Sequence, residues 1–216
     1  MDFYRTYDFS EDRCIFYGNN SDTLIIWFGG LGEPFLSEKL SKFTNMDCLI
    51  FRDKDSNWYM NGVSNQYNSR EKMIQNLKNF KNSQNYKKLV FCGQSSGGYA
   101  ALFFFHYVGG DLSIVFSPQT ANQFSGDGHM SPPFKLKDIS KFFRRNDKNI
   151  IINISRSEKN HEKKYRWDDW WQIRYLRNYH NVTVITHPYD SHATTLFLRE
   201  RNIFYKFMKN IIDIYL

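Results

Sequence analysis

The sequence predicts an α/β fold: one open, mostly parallel sheet of about seven strands with helices on both faces. Three observations predict it. Short apolar runs rich in β-branched and aromatic residues alternate with segments of helical length along the whole chain. Several of those runs are apolar at every position, as strands covered on both sides must be. One run, Lys87-Lys88-Leu89-Val90-Phe91-Cys92, leads directly into Gly93-Gln94-Ser95-Ser96-Gly97 and then into an apolar segment closed by Gly109-Gly110. Strand, tight turn and helix is the context that a G-x-S-x-G nucleophile turn requires.

In order, strands are predicted near 13–17, 23–28, 47–51, 88–92, 112–116, 149–154 and 181–186. Helices are predicted over 35–44, 69–82, 96–108, 137–145, 169–179 and 192–214. The chain of 216 residues fits one domain, 1–216, and its 41% apolar and 18% aromatic content excludes a disordered protein. The segment 117–134 holds Gly126, Gly128, Pro132 and Pro133 without periodicity. A loop of that length is often functional, so it is a candidate lid over the site.

Composition narrows the function classes. No run of 18 apolar residues exists, so no membrane span is expected. Met1-Asp2-Phe3-Tyr4-Arg5 lacks the pattern of a secretory signal, which gives a cytoplasmic expectation. Cys14, Cys48 and Cys92 are odd in number, widely spaced and set among apolar residues. They read as buried thiols in a reducing compartment. No C-x-x-C or H-E-x-x-H spacing is present, so no metal site is expected. The formal net charge of +7 favours an acidic partner, but no nucleic-acid motif accompanies it. The apolar C-terminal stretch from Ile203 to Leu216 admits a peripheral contact at the inner face of the membrane. A final helix packed on the sheet is the simpler reading. Self-association into a homo-oligomer is a further partner expectation.

Ser95 is the candidate nucleophile. The turn must hold it in a strained conformation, and the flanking glycines let two backbones pass without a Cβ clash. The helix that follows points its N-terminus at the serine, where negative charge develops. A serine hydroxyl needs a base. Of six histidines, only His187 and His192 follow the last predicted strand; His192, in the turn leading to the final helix, is preferred over His187. The acid that orients the imidazole should lie after the strand at 149–154. Asp169 is preferred, with Asp168 close behind and Glu158 and Glu162 as further candidates. Either aspartate also suits plain helix capping. Gly29-Gly30-Leu31-Gly32 follows a strand, so Gly30 or Leu31, together with Ser96, is the candidate source of oxyanion-binding N–H groups.

Ser95, an acid and His192 in that order, along an alternating chain, resemble the α/β-hydrolase superfamily over nearly the whole length. A narrower resemblance rests on Phe51-Arg52-Asp53 through Trp58-Tyr59-x-x-Gly62, on Gly93-Gln94-Ser95-Ser96-Gly97-Gly98-Tyr99-Ala100-Ala101, and on Phe116-Ser117-Pro118-Gln119-Thr120. These are similar to small bacterial α/β-hydrolase-like proteins that occur with capsule and surface-glycan machinery, among them O-acetyltransferases of capsular polysaccharide. That resemblance implies transfer of an acetyl group from acetyl-CoA, through an acetyl-serine, to a sugar or polysaccharide hydroxyl in the cytoplasm. The candidate substrate-binding residues are Trp58, Tyr59, Gln94 and Gln119, with Trp167, Trp170 and Trp171 as further aromatic surface for sugar rings. Packing in the core is an equal expectation for the tryptophans. The same residues also suit a carboxylesterase or thioesterase, or an interaction protein that kept the fold.

Overall fold

The computed structural model describes residues 13–31, 39–63, 67–120, 139–143, 148–155, 169–189 and 191–216. Seven strands form one sheet: β1 (Cys14–Tyr17), β2 (Thr23–Phe28), β3 (Asp47–Phe51), β4 (Lys88–Gln94), β5 (Leu112–Phe116), β6 (Asn149–Ser155) and β7 (Val182–His187). Their spatial order is β1-β3-β2-β4-β5-β6-β7. β1 runs antiparallel to β3, and every other neighbouring pair is parallel. All seven strands stand where the apolar runs predict them. Most of the candidate lid, 121–134, lies outside the described residues.

The alternation of side chains along each strand divides the interior into two layers. Leu24, Ile26 and Phe28 of β2 join Leu89 and Phe91 of β4 on one face. Ile25 and Trp27 join Val90 and Cys92 on the other. This period-2 sorting of continuously apolar strands is the reason the sheet needs helices on both sides. On the first face lie α2 (Arg70–Ser83) and α3 (Ser96–Phe104). On the second lie α1 (Lys39–Thr44), α5 (Thr194–Glu200) and α6 (Phe204–Tyr215). A short helix, α4 (Asp169–Gln172), follows β6.

Four predicted helices differ from their expected form. Within 137–145 the described residues Ile139–Phe143 form a 3₁₀ helix. The segment 96–108 leaves the α-helix for a π-helical turn at Phe105–Gly109, closed by Gly110 N–H donating to Phe105 O at 3.0 Å. The segment 169–179 is α-helical only at its start and ends in a 3₁₀ turn, Leu176–Asn178. The expected single helix 192–214 is two. Asn202 takes a left-handed φ of 57°, and Ile203 N–H reaches back to Leu198 O. That is the stop an asparagine can form just past a helix end. α6 then turns Phe204, Met208, Ile211 and Ile212 into the second layer, leaving Ile214 and Leu216 exposed. No described helix is long and apolar enough to cross a membrane. The three cysteines are free and buried, and burial pushes their thiols up.

Two glycines fix how closely β2, β4 and α3 approach. A Cβ on Gly97 would lie 2.1 Å from Phe28 O, and one on Gly93 would lie 2.3 Å from Gly97 O. Gly109, by contrast, has φ +87° and nothing within 4 Å of its missing Cβ. Gly97→Ala is therefore expected to destabilise the fold by several kcal/mol or prevent folding, through backbone collision. Gly109→Ala should cost only about 1–2 kcal/mol, for the left-handed conformation alone. Urea unfolding midpoints check the contrast; equal midpoints for the two variants would remove the close-approach argument.

Candidate active site

The C-terminal ends of β2, β4, β5 and β6 meet at one edge of the sheet, where open α/β sheets place their ligands. Ser95 follows β4 and immediately precedes α3. Its backbone has φ 55° and ψ −118°, a sparsely populated region for a residue with a side chain. Three backbone hydrogen bonds hold it there. Ser95 N–H donates to Phe116 O at 2.9 Å, while Tyr99 N–H and Gln119 N–H donate to Ser95 O at 3.1 and 3.2 Å.

The structure brings Ser95, His192 and Asp169 together. His192 Nε2 lies 2.8 Å from Ser95 Oγ, and Nδ1 lies 2.8 Å from Asp169 Oδ1. A carboxylate can only accept, so Nδ1 carries the proton and Nε2 is free to accept from the Ser95 hydroxyl. The Asp169 side chain is 5% exposed and that of His192 22%. The buried carboxylate is satisfied on its other oxygen by Ser117 Oγ at 2.7 Å and Ser155 Oγ at 3.3 Å. This arrangement can remove a proton from the Ser95 oxygen and stabilise the resulting imidazolium.

The other sequence candidates fall elsewhere. Asp168, Glu158 and Glu162 lie outside the described residues. His187 ends β7, is buried, and bonds Asn153 Oδ1 through Nε2 at 3.1 Å. Because Asn153 Nδ2 donates to Val115 O, its Oδ1 is an acceptor, and His187 Nε2 is the donor. Gly29 N–H is occupied by Phe51 O, and the Gly29 backbone abuts Gly97 at the start of α3. Gly30 and Leu31 thus stand beside the serine turn. Ser96 opens α3, so its N–H has no acceptor within the helix.

The four expected substrate contacts, Trp58, Tyr59, Gln94 and Gln119, are all buried and bonded within the protein. Trp58 and Tyr59 are not an exposed platform; they are 2% and 0% exposed. Both have left-handed φ, and Asp53 Oδ2 accepts from Trp58 N–H at 2.7 Å to hold the turn. Tyr59 OH donates to backbone carbonyl oxygens at the ends of β2 and β3, lying 2.9 Å from Gly29 O. Trp58 Nε1 donates to Gln119 Oε1 at 2.9 Å, and Gln119 is itself fully buried. Gln94 is also occupied by protein: its Nε2 donates to His192 O at 3.1 Å, and its Oε1 accepts from Thr195 N–H and hydroxyl. It clamps the histidine segment to the end of β4. Sequence reasoning missed Ser117, Ser155, Thr194 and Thr195. The available signal was position, since Ser117 directly follows β5 and Ser155 ends β6, the two strands after β4 in the sheet. Among the described residues no cluster of His, Cys, Asp or Glu is placed to hold a metal ion.

No family model matches this sequence, and no curated protein matches it. Solved structures do match. The chain superposes on the Glycosylation Associate Protein (Gap123) complex from Streptococcus agalactiae with a TM-score of 0.63 at 14% identity, covering 92% of this chain and 44% of that one. It thus spans less than half of that chain. An esterase from Pyrococcus furiosus gives 0.63 at 13% identity, over 94% of this chain and 85% of that one. The capsule O-acetyltransferase of Neisseria meningitidis serogroup A gives 0.58 at 16% identity, over 95% and 93%. At these identities the likeness concerns the fold, and the fold is that of the α/β-hydrolases.

Burial pushes the His187 imidazole down from its ordinary value of 6.5. A histidine held neutral by the fold supports stability above that value and loses it as pH falls, because the unfolded chain binds the proton first. Wild-type stability should therefore fall as pH drops below about 6.5. His187→Gln, which keeps a donor for Asn153, should show a shallower fall. Urea denaturation at several pH values between neutrality and mild acid measures both slopes; identical slopes would exclude the effect.

Proposed function

We propose that this chain of α/β-hydrolase fold is a serine acyltransferase that carries an acetyl group from acetyl-CoA to a hydroxyl of a bacterial surface polysaccharide or its precursor, in the cytoplasm. The observation that carries the catalytic part is the continuous hydrogen-bond path from Asp169 through His192 to Ser95, with Ser95 held at a strained turn. In this reading Ser95 Oγ attacks the thioester carbonyl while His192 Nε2 takes its proton. The N–H groups of Ser96 and of Gly30 or Leu31 stabilise the oxyanion. The C–S bond breaks, and His192 returns the proton to the departing CoA sulfur. A sugar hydroxyl then attacks the acetyl-serine, giving its proton to His192. Collapse releases the acetylated sugar, and Ser95 recovers the proton.

The acceptor and donor rest on two supports. One is the resemblance of the serine turn and of Ser117-Pro118-Gln119-Thr120 to capsule O-acetyltransferases. The other is the superposition on one such enzyme over nearly both chain lengths. The net charge of +7 suits the phosphates of CoA and an anionic polymer. A second reading, hydrolysis of an ester or thioester by the same three residues, is favoured by the superposition on an esterase. Transfer and hydrolysis diverge only at the acyl-enzyme, where water or a bound sugar attacks.

Ser95→Ala should lower turnover by roughly 10⁴ or more, and His192→Ala by a comparable factor. Asp169→Asn should cost about 10⁴ through the wrong imidazole tautomer. Rate measurements on folded variants check this; near-normal turnover by Ser95→Ala would end the proposal.

Substrate is tested by incubating the protein with labelled acetyl-CoA, host polysaccharides and simple acetate esters. Label entering a glycan, with an acetyl adduct on Ser95 by mass spectrometry, is the expected result. Rapid ester hydrolysis with an unlabelled glycan would establish the esterase reading. No turnover and no adduct under any condition would leave an interaction protein.

A further inference from the structure

The acid and the base of the site come from separate parts of the chain, Asp169 from α4 and His192 from the turn before α5. One buried hydroxyl pair joins them. Ser117 Oγ lies 2.7 Å from Asp169 Oδ2 and 2.9 Å from Thr194 Oγ1. A serine hydroxyl has one proton, and the carboxylate can only accept it. Thr194 is therefore the donor to Ser117 Oγ, and the direction of the path is fixed: Thr194 to Ser117 to Asp169. Ser117 and Thr194 are each 0% exposed, so water does not compete for these bonds.

The two ends of this path are also tied to the histidine. Thr194 N–H donates to His192 O at 3.0 Å, and the same carbonyl accepts from Gln94 Nε2. The next residue, Thr195, donates to Gln94 Oε1. Adjacent threonines thus pin the start of α5 to the ends of two neighbouring strands, Thr194 to β5 through Ser117 and Thr195 to β4 through Gln94. Ser117 itself has a left-handed φ of 41°, a conformation that a residue with a Cβ adopts only when its surroundings over-determine it. Its N–H donates to Asn153 O at 2.7 Å, on β6.

We propose that Ser117 and Thr194 are positioning residues, which hold the Asp169 carboxylate and the His192 imidazole in one frame aimed at Ser95. The inference rests on the reading of Ser95 as a nucleophile. The pair does not touch the reacting atoms. It fixes the rotation of the carboxylate, so that Oδ1 stays on Nδ1 while Oδ2 is occupied. It also links that orientation to the backbone of the histidine. Misplacement by about 1 Å at such a distance typically costs on the order of 10²-fold in rate.

The test compares wild type, Thr194→Val, Thr194→Ser and Ser117→Ala, using a fluorophosphonate that reacts with activated serines. Such a probe reads Ser95 directly and requires no knowledge of the substrate. Thr194→Val and Ser117→Ala should lower the maximal labelling rate roughly 10²-fold, with the half-saturating probe concentration unchanged. Thr194→Ser, which keeps the hydroxyl, should label like wild type. In parallel, proton NMR should show a low-field Nδ1–H resonance of His192, identified by its loss in Asp169→Asn. That resonance should persist in Thr194→Ser and be shifted or broadened in Thr194→Val and Ser117→Ala. Folded Thr194→Val and Ser117→Ala that label at the wild-type rate and keep the resonance would overturn the inference. If Thr194→Val does not fold, Ser117→Ala decides. If wild type takes no label, the nucleophile reading fails, and the NMR comparison alone decides whether the pair holds the Asp169–His192 bond.

Discussion

The site depends on how closely three backbones approach. β4 can deliver Ser95 to the sheet edge only if the turn after it passes against the end of β2, and Gly93 and Gly97 leave no room there for a side chain. This approach sets the left-handed conformation of Ser95 and puts the start of α3 beside Gly29 and Gly30. The strain at Ser95 is offset by bonds from three directions: Phe116 O accepts from its N–H, and Tyr99 and Gln119 donate to its carbonyl. The parallel strands β2, β4, β5 and β6 are buried on both faces, so the edge they share is rigid. On such an edge Ser95 is held within hydrogen-bond reach of His192.

Polar groups around that edge are joined in sequence rather than scattered. Asp53 holds the Trp58 turn, Trp58 donates to Gln119, and Gln119 N–H donates to Ser95 O. On the opposite side, Gln94, Thr195, Thr194 and Ser117 connect β4 and β5 to the elements bearing His192 and Asp169. Burial raises the Asp53 carboxyl, and backbone N–H groups of Asn57, Trp58 and Tyr59 counter that effect. Buried polar side chains of this kind are tolerable only when their partners are present. Among the described residues of this region, three buried side-chain atoms have no partner: Asn57 Oδ1 in the Trp58 turn, and Ser96 Oγ and Gln119 Nε2 beside Ser95.

Order and spacing along the chain were legible; side-chain environment was not. All seven strands were visible in the sequence: β2 to β6 as apolar runs, because burial on both faces leaves a signal at nearly every position, and the edge strands β1 and β7 as short stretches of β-branched and aromatic residues. The positions of Ser95, His192 and Asp169 followed from the glycine spacing and from the order of elements, and the structure sets these three side chains in one hydrogen-bonded path. Asp169 was separable from Asp168 only by preference, since neighbouring residues differ in direction and not in order. That Trp58, Tyr59, Gln94 and Gln119 are engaged within the protein was not visible for a related reason. An aromatic or amide side chain after a strand looks the same in sequence whether it faces solvent or a carbonyl oxygen. The break between α5 and α6 did leave a mark, Asn202, a residue suited to the left-handed stop. The π-helical turn at Phe105–Gly109 leaves Gly110 against the Phe105 ring, where a Cβ would lie 2.4 Å away, and it carries no periodicity that a sequence could display.

Ser95 and His192 are half-buried while Asp169 is buried, and that difference has chemical consequences. The His192 side chain is 22% exposed and that of Asp169 only 5%. When the imidazole takes a proton, the new positive charge forms against a carboxylate that is shielded from water, where the attraction is stronger than at a surface. An isolated buried carboxylate would be costly. Here the hydroxyls of Ser117 and Ser155 occupy the oxygen that His192 does not use, so Asp169 is hydrogen-bonded on both oxygens, with no Lys or Arg bonded to it among the described residues. A lysine or arginine in their place would draw charge away from the imidazolium; neutral hydroxyls satisfy the carboxylate and leave its charge for His192. The same neutral bonds set its rotation. Stabilisation of the transient charge and geometric control of the base therefore come from one set of contacts at the ends of β5 and β6.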